Sequence, residues 1–109
     1  MYRRLLRFAG FQVRARGWAA LRRRHLKLEP VCQVCGSHRF LDVHHIVPVS
    51  EAPELELDPD NLITLGRRCP GGNHHLVFGH AGVWQRHVPR VRAFVAVARM
   101  HYRESLSTD

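Results

Sequence analysis

Two adjacent histidines, His44 and His45, interrupt a short apolar run and are followed by Asn61 and by a second histidine pair, His74 and His75. Histidine suits a general base because its unperturbed pKa of about 6.5 lies close to neutral pH. Neutral imidazole is also a common metal ligand, and an asparagine amide can orient a base through hydrogen bonds. These residue types therefore predict a site that combines a base, an orienting amide and a bound cation.

The cysteines predict a second metal site. Cys32 and Cys35 have the C-x2-C spacing with which a single turn grips a metal, and three cysteines do not suit a disulfide framework. Thiolates favour Zn²⁺, and structural zinc takes four tetrahedral ligands. Cys69 and His74 are the best candidates for the second pair of ligands.

The order of these motifs resembles the HNH endonuclease family, and the resemblance runs from about Trp18 to Trp84. It is carried by Val-His-His-Ile-Val-Pro at 43–48 and Asp-Asn-Leu-Ile-Thr-Leu at 60–65, with the C-x2-C pair before them. It implies a small α+β fold, with a ββα-metal (His-Me finger) core, a zinc clip and flanking N- and C-terminal helices. It also implies a metal-dependent endonuclease that hydrolyses DNA phosphodiester bonds by nicking or double-strand cleavage.

The resemblance assigns a role to each matching residue. His45 takes the general-base position and activates a water, and Asn61 orients this base. His44 and His75 hold a divalent cation such as Mg²⁺ or Mn²⁺, whose positive charge suits phosphodiester hydrolysis. His80 is a third metal ligand, a phosphate contact or a surface residue. The implied products carry 5′-phosphate and 3′-hydroxyl ends.

The chain departs from the family at the predicted zinc site. Zinc-bearing members usually read Asn-Leu-x-x-Leu-Cys and then carry a second Cys immediately before a His. Here Gly66 stands in the first of these cysteine positions, His74 stands in the second, and Cys69 follows three residues after Gly66. The fourth zinc ligand therefore stays open. In the alternative arrangement, His75 belongs to the zinc site and His80 replaces it in the catalytic site.

The charge of the chain favours a polyanionic partner. Its 109 residues carry a formal charge of +8, and many basic residues precede the first acid, Glu29. Such a stretch attracts nucleic acid with a strong dependence on salt. The predicted DNA contacts are Arg14, Arg16, Arg22, Arg23, Arg24 and Lys27. We expect contacts to the phosphate backbone with weak sequence preference, since phosphate contacts position a protein without specifying bases.

Residues 1–16 are predicted to form a basic N-terminal arm and residues 17–109 a single nuclease domain. Further motifs, among them Pro53–Leu57 and Phe78–His80, resemble a phage and prophage subgroup that acts with DNA-packaging machinery, which raises phage terminase as a partner. No apolar run has the length of a membrane span, so we expect a cytoplasmic protein. Two alternatives remain: a catalytically inert, zinc-stabilised nucleic-acid-binding module, and a packaging accessory that is inactive without its partner.

The secondary structure is predicted from periodicity and from helix and turn signals. A helix over 17–28 is ended by Pro30, and a tight turn over 31–36 carries both cysteines. Next come a predicted hairpin of Phe40–Val43 with Ile46–Val49 and an exposed acidic loop over 51–60. A helix is predicted to open at Asn61–Leu65, with Asp58 or Asp60 as its cap. A turn at 70–73, a helix at 74–78 and a terminal helix over 89–103 follow. His25, His38, His87 and His101 are expected on the surface.

Overall fold

A computed structural model describes residues 14–107, with side chains described as far as residue 103. Most of the predicted basic arm, residues 1–13, lies outside the described residues, so the arm and its boundary stay predictions. The described chain contains helix α1 (Trp18–Leu28), strands β1 (Leu41–His45) and β2 (Leu62–Gly66), a π-helical segment (His75–Gly79) and helix α2 (Val91–Ser107). The small α+β fold predicted from the sequence is confirmed in this form.

Helix α1 has the predicted extent. It starts after Gly17, whose φ of +94° suits glycine, and it ends two residues before Pro30, which disfavours helical geometry in the residue preceding it. His25 was expected on the surface, and this prediction is wrong: the ring is buried, and its Nε2 donates to Oε1 of Glu29 at 3.1 Å. The same Oε1 accepts a hydrogen bond from the backbone N of Thr64 at 2.8 Å, which fastens α1 to β2.

Strands β1 and β2 form an antiparallel pair in which His44 lies opposite Ile63 and His45 opposite Leu62. The predicted hairpin with Ile46–Val49 is therefore wrong, and so is the predicted helix at Asn61–Leu65. All five residues of β2 are buried. Because the run is apolar on both faces, its hydrophobic pattern does not distinguish a strand from a helix. Its partner β1 is separated from it by a long loop, so the short-range signals that predict a hairpin do not predict this pairing.

The loop between the strands was predicted to be exposed, but it is partly buried and held by hydrogen bonds. Glu56 is only 2% exposed, and its carboxylate accepts a hydrogen bond from the backbone N of Ala15 at 2.6 Å. Asp58 does act as a cap, since its Oδ1 accepts from the backbone N of Asp60 at 2.9 Å. It caps the 3-10 turn Pro59–Asn61, however, and no α-helix follows.

The second half of the described chain follows the predictions more closely. The turn at 70–73 is present, closed by paired backbone bonds between Cys69 and Gly72. The helix predicted after it is a π-helical segment, and the terminal helix is α2. Val91 and Val95 of α2 are buried against the core around Ile63 and Leu65. Within residues 14–107, no helix has the length and apolarity required to cross a membrane.

Candidate metal and catalytic site

Four of the predicted zinc ligands meet in the folded chain. The Sγ atoms of Cys32, Cys35 and Cys69 and a ring nitrogen of His74 all lie within 4.8 Å of one another. Sγ of Cys32 is 3.6 Å from Nδ1 of His74. Tetrahedral zinc with Zn–S of about 2.3 Å and Zn–N of about 2.05 Å separates such ligand atoms by about 3.6 Å. The cluster therefore fits a Cys3His zinc site, with His74 rather than His75 beside the cysteines.

Local backbone geometry presents these ligands. The C-x2-C turn is closed by a bond from the backbone N of Gly36 to the carbonyl of Cys32 at 2.8 Å, and Gly36 adopts a φ of +79°. Gly66, where the resemblance predicts a cysteine, lies against the cluster. A Cβ built on Gly66 would overlap with Sγ of Cys69 and lie 3.4 Å from Cβ of Cys32. Cys69 thus fills the place that a side chain at position 66 would take.

The electrostatics of this cluster favour a bound cation. Burial raises the pKa of the Cys69 thiol, and the neighbouring thiols of Cys35 and Cys32 raise it further. Burial lowers the pKa of His74, so its imidazole is neutral and can act as a ligand. The three cysteines are free thiols. Thiols crowded in this way can ionise together when a metal ion compensates their charge.

The histidines of the second cluster converge from β1 and the π-helical segment. Nδ1 of His44 lies 3.1 Å from Nε2 of His75, and Nε2 of His80 lies 3.2 Å from the same atom. Two nitrogens bound to one tetrahedral zinc ion at about 2.05 Å are about 3.3 Å apart. Geometry therefore groups His80 with His44 and His75, and these three residues can hold a second cation.

Hydrogen bonds behind the rings fix their tautomers. Nδ1 of His75 donates to Oδ2 of Asp42 at 2.9 Å, and Nδ1 of His80 donates to the carbonyl of Arg86 at 2.7 Å. With each Nδ1 donating, the lone pair of a neutral ring lies on Nε2, and the two Nε2 atoms are 3.2 Å apart. That contact is repulsive unless a cation lies between the nitrogens, which is the second reason that the cluster fits a metal.

Sequence reasoning missed Asp42. A signal was available, because Asp42 and His44 are two residues apart and side chains at that spacing share one face of a strand. The carboxylate is also paired with Arg67, whose Nη1 lies 2.8 Å from Oδ1 of Asp42. Asp42 therefore holds the His75 ring from behind, in the arrangement common for metal-bound histidines.

Burial lowers the pKa of His44 and of His75 and so favours their neutral rings. Burial is the main cause that lowers the pKa of His44 to about 3, and the electrostatic interaction with the adjacent imidazoles of His75 and His80 lowers it further. Burial also lowers the pKa of His75, although the Asp42 carboxylate opposes the shift. Nε2 of His44 is buried and has no hydrogen-bond partner among the described residues. Neutral imidazoles are the form that binds metal.

His45 is the last residue of β1 and is buried. Its Nε2 donates to the carbonyl of Glu56 at 2.9 Å, which leaves the lone pair of the neutral ring on Nδ1. The indole of Trp18 stacks on the ring with centroids 4.6 Å apart. Asn61 binds the backbone of Val47 twice: its Oδ1 accepts from the N at 2.8 Å and its Nδ2 donates to the O at 3.0 Å. The amide therefore pins the chain just after His45.

His45 and the histidine cluster open into one cleft of about 400 Å³. Of the predicted DNA contacts, Arg14 lines this cleft. Arg16, Arg23, Arg24 and Lys27 are exposed before or on α1, and Arg22 is half-buried there. His87, expected on the surface, is half-buried in the cleft wall, and its Nε2 lies 3.4 Å from Oε2 of Glu51.

The described chain thus places two strands and a helical segment around one histidine cluster, with a Cys3His cluster beside them. Residues 32–76 match the family model described as HNH endonuclease. The matched region begins at Cys32 and includes His44, His45, Asn61 and His75, while His80 lies just beyond it. No match is found among the curated proteins or among the solved structures. The family match indicates a nuclease-type function.

Proposed function

We propose that this protein is a metal-dependent endonuclease that hydrolyses phosphodiester bonds in DNA. One observation carries the proposal: His45, with its lone pair fixed on Nδ1, shares a cleft with the cluster of His44, His75 and His80. A base and a cation site that face one cavity are the two requirements of metal-assisted phosphodiester hydrolysis.

In the proposed reaction, Nδ1 of His45 takes a proton from a water molecule as its oxygen attacks phosphorus. The bond from phosphorus to the 3′ oxygen breaks, and that oxygen leaves with the bonding electron pair and takes a proton from solvent water to become a 3′-hydroxyl. The carbonyl of Glu56 stabilises the imidazolium, because it already accepts the hydrogen bond from Nε2. Asn61 keeps the base in place through the backbone of Val47. A divalent cation on the histidine cluster would supply positive charge at the phosphate.

The donor set also bears on the identity of that cation. His44, His75 and His80 offer nitrogen ligands alone. Mg²⁺ prefers oxygen ligands, whereas imidazole suits Zn²⁺ and other transition metals. Of the two cations predicted from the sequence, Mn²⁺ therefore fits better than Mg²⁺, and Zn²⁺ fits better than either. We propose a transition metal at this site and structural Zn²⁺ at the Cys3His cluster.

The inert-module alternative loses its main support. That alternative depended on Gly66, which suggested a missing zinc ligand, but Sγ of Cys69 fills the same place. DNA would bind through Arg14 at the cleft and through the exposed basic residues of α1. The cytoplasmic location, the phage or prophage origin and the terminase partner remain predictions of the resemblance.

The test is plasmid nicking with Mn²⁺, Zn²⁺ and Mg²⁺, comparing the wild type with His45→Ala and His45→Gln. The glutamine amide can still donate to the Glu56 carbonyl but cannot take a proton, so it separates loss of the base from loss of the fold. We expect a rate reduction of at least about 100-fold in both variants, within the usual contribution of a general base.

The matched control is His38→Ala, because His38 is exposed and lies outside the cleft. It should cleave at the wild-type rate. Equal cleavage by wild type and His45→Gln would remove His45 from the mechanism. DNA binding without cleavage under any of the three metals would favour the inert module, unless added terminase restores activity.

A further inference from the structure

Trp84 is an exposed aromatic side chain beside the histidine cluster, and the proposed mechanism does not use it. Its ring centroid lies 4.9 Å from that of His80 and 5.3 Å from that of His75. The residue is nevertheless 52% exposed, and it lines the cleft. A ligand that covers the exposed part of the indole would gain free energy from the burial of apolar surface.

The backbone holds Trp84 at this point. The loop after the π-helical segment is closed by bonds from the backbone N of Gly82 to the carbonyl of Leu76 and from the N of Val83 to the carbonyl of His80, both 3.0 Å. The ring of His80 also donates to the carbonyl of Arg86 at 2.7 Å. The indole is thus fixed relative to a residue of the histidine cluster, which makes it a preorganised surface.

The surroundings of Trp84 suit a nucleotide. Gln85 and Arg86 follow it in the cleft wall, and Arg14 lies in the same wall. An aromatic ring within a basic groove is the arrangement with which proteins bind single-stranded nucleic acid, because every base has a π-face that stacks on the ring. In an intact duplex those faces are covered by neighbouring bases and cannot reach an indole.

We propose that Trp84 stacks on an unpaired nucleobase next to the phosphate that is cut, so that the preferred substrate is single-stranded or locally unpaired DNA. This inference rests on the proposed nuclease function and narrows its substrate class. Trp84 acts as a substrate-binding residue, and the histidines behind it keep their metal-binding role.

The test measures binding without cleavage. In the zinc-loaded His45→Ala background, the dissociation constant of a labelled thymidine oligonucleotide is compared with that of a duplex containing the same strand. Trp84→Ala should weaken binding of the single strand by about tenfold or more, within the usual stacking contribution, and weaken duplex binding by no more than about twofold. Trp84→Phe should retain most of the affinity because it keeps an aromatic face.

The control variant is Phe94→Ala, since Phe94 is a similarly exposed aromatic residue on α2, outside the cleft. Equal weakening on both DNAs, or no weakening, would overturn the proposal. Metal loss from Trp84→Ala but not from Trp84→Phe would also overturn it, and would assign the indole to covering the histidines. Because binding is measured without catalysis, a wild type that never cleaves would refute the nuclease function while single-strand selectivity through Trp84 could still stand.

Discussion

A side chain at position 66 and Sγ of Cys69 compete for one place beside Cys32. Zinc-bearing proteins of the family that this chain resembles carry a cysteine at the position of Gly66, and a Cβ there would lie 3.7 Å from Sγ of Cys32. The thiol is supplied here from three residues later in the chain. A side chain at position 66 would displace this thiol from its present place, so we infer that Gly66 and Cys69 form a compensating pair.

The pair predicts compensation between two substitutions. Gly66→Cys should disturb the cluster because its Cβ overlaps with Cys69, and Cys69→Ala should lose a ligand. Each should lower zinc content and reduce Tm by at least about 5 °C, since metal affinity is folding free energy in such domains. The double variant Gly66→Cys/Cys69→Ala should recover both. Zinc content and Tm measure this directly, and full zinc binding by Cys69→Ala would refute the assignment of Cys69.

Asp42→Asn tests whether the hydrogen bond from His75 to the Asp42 carboxylate strengthens metal binding. The substitution removes the charge that faces Nδ1 of His75, so the ring should bind metal more weakly. We expect a loss of about 10- to 100-fold in metal affinity or activity. Co²⁺ titration separates the two clusters, because only the cysteine site gives thiolate-to-metal absorption. Asp60→Asn, the same chemical change at an exposed residue, should leave both sites intact, and an unchanged histidine site in Asp42→Asn would exclude this role.

Gly79→Ala should displace the ring of His44. A Cβ at position 79 would lie 3.1–3.2 Å from three atoms of that ring, which is too close for a ring confined between β1 and the π-helical segment. Overpacking costs about 1–3 kcal/mol, so we expect a lower Tm and loss of metal from the histidine site, with zinc retained at the cysteines. Val77→Ala, at an exposed position of the same segment, serves as the control. Normal metal binding by Gly79→Ala would show that His44 can move freely.

The buried His44 predicts a pH dependence of stability. Its pKa is lowered in the folded chain to about 3, against about 6.5 when unfolded, so between these values the unfolded state binds more protons. The contribution of His44 to the free energy of unfolding should therefore be fully present above about pH 6.5 and should be lost progressively as the pH drops toward 3. Tm measured from pH 8 to pH 4 should show this fall, and His44→Ala should flatten it. A slope that is the same in His44→Ala would assign the acid sensitivity to other groups.

The exposed basic residues of α1 predict salt-dependent DNA binding. Arg23 and Lys27 are four residues apart and therefore lie on one face of the helix, and both are exposed. Replacing both with Ala should weaken binding similarly for different sequences and reduce the slope of log K against log salt by about 0.9 for each phosphate that the variant no longer neutralises. Arg103→Ala, exposed on α2, is the control. An unchanged slope in the double variant would place the DNA elsewhere.

The features that depend on residue type and local spacing could be predicted from the amino-acid sequence. A C-x2-C turn, a histidine pair and an asparagine between further ligands specify which chemistry is available, because ligand preference is a property of the side chain. Helices α1 and α2 also followed from local signals, since Pro30 and the spacing of Val91, Val95 and Ala98 act within a few residues.

The way in which distant segments meet could not be predicted and is seen in the folded chain. The pairing of β1 with β2 spans the loop 46–61, and an evenly buried strand such as Leu62–Gly66 has no amphipathic period that would show its partner. The assignment of His74 to the cysteines and of His75 and His80 to His44 depends on the π-helical segment, which turns neighbouring side chains toward different clusters. The hydrogen bond from His75 to Asp42 and the burial of Glu56 likewise arise from contacts between residues far apart in the chain.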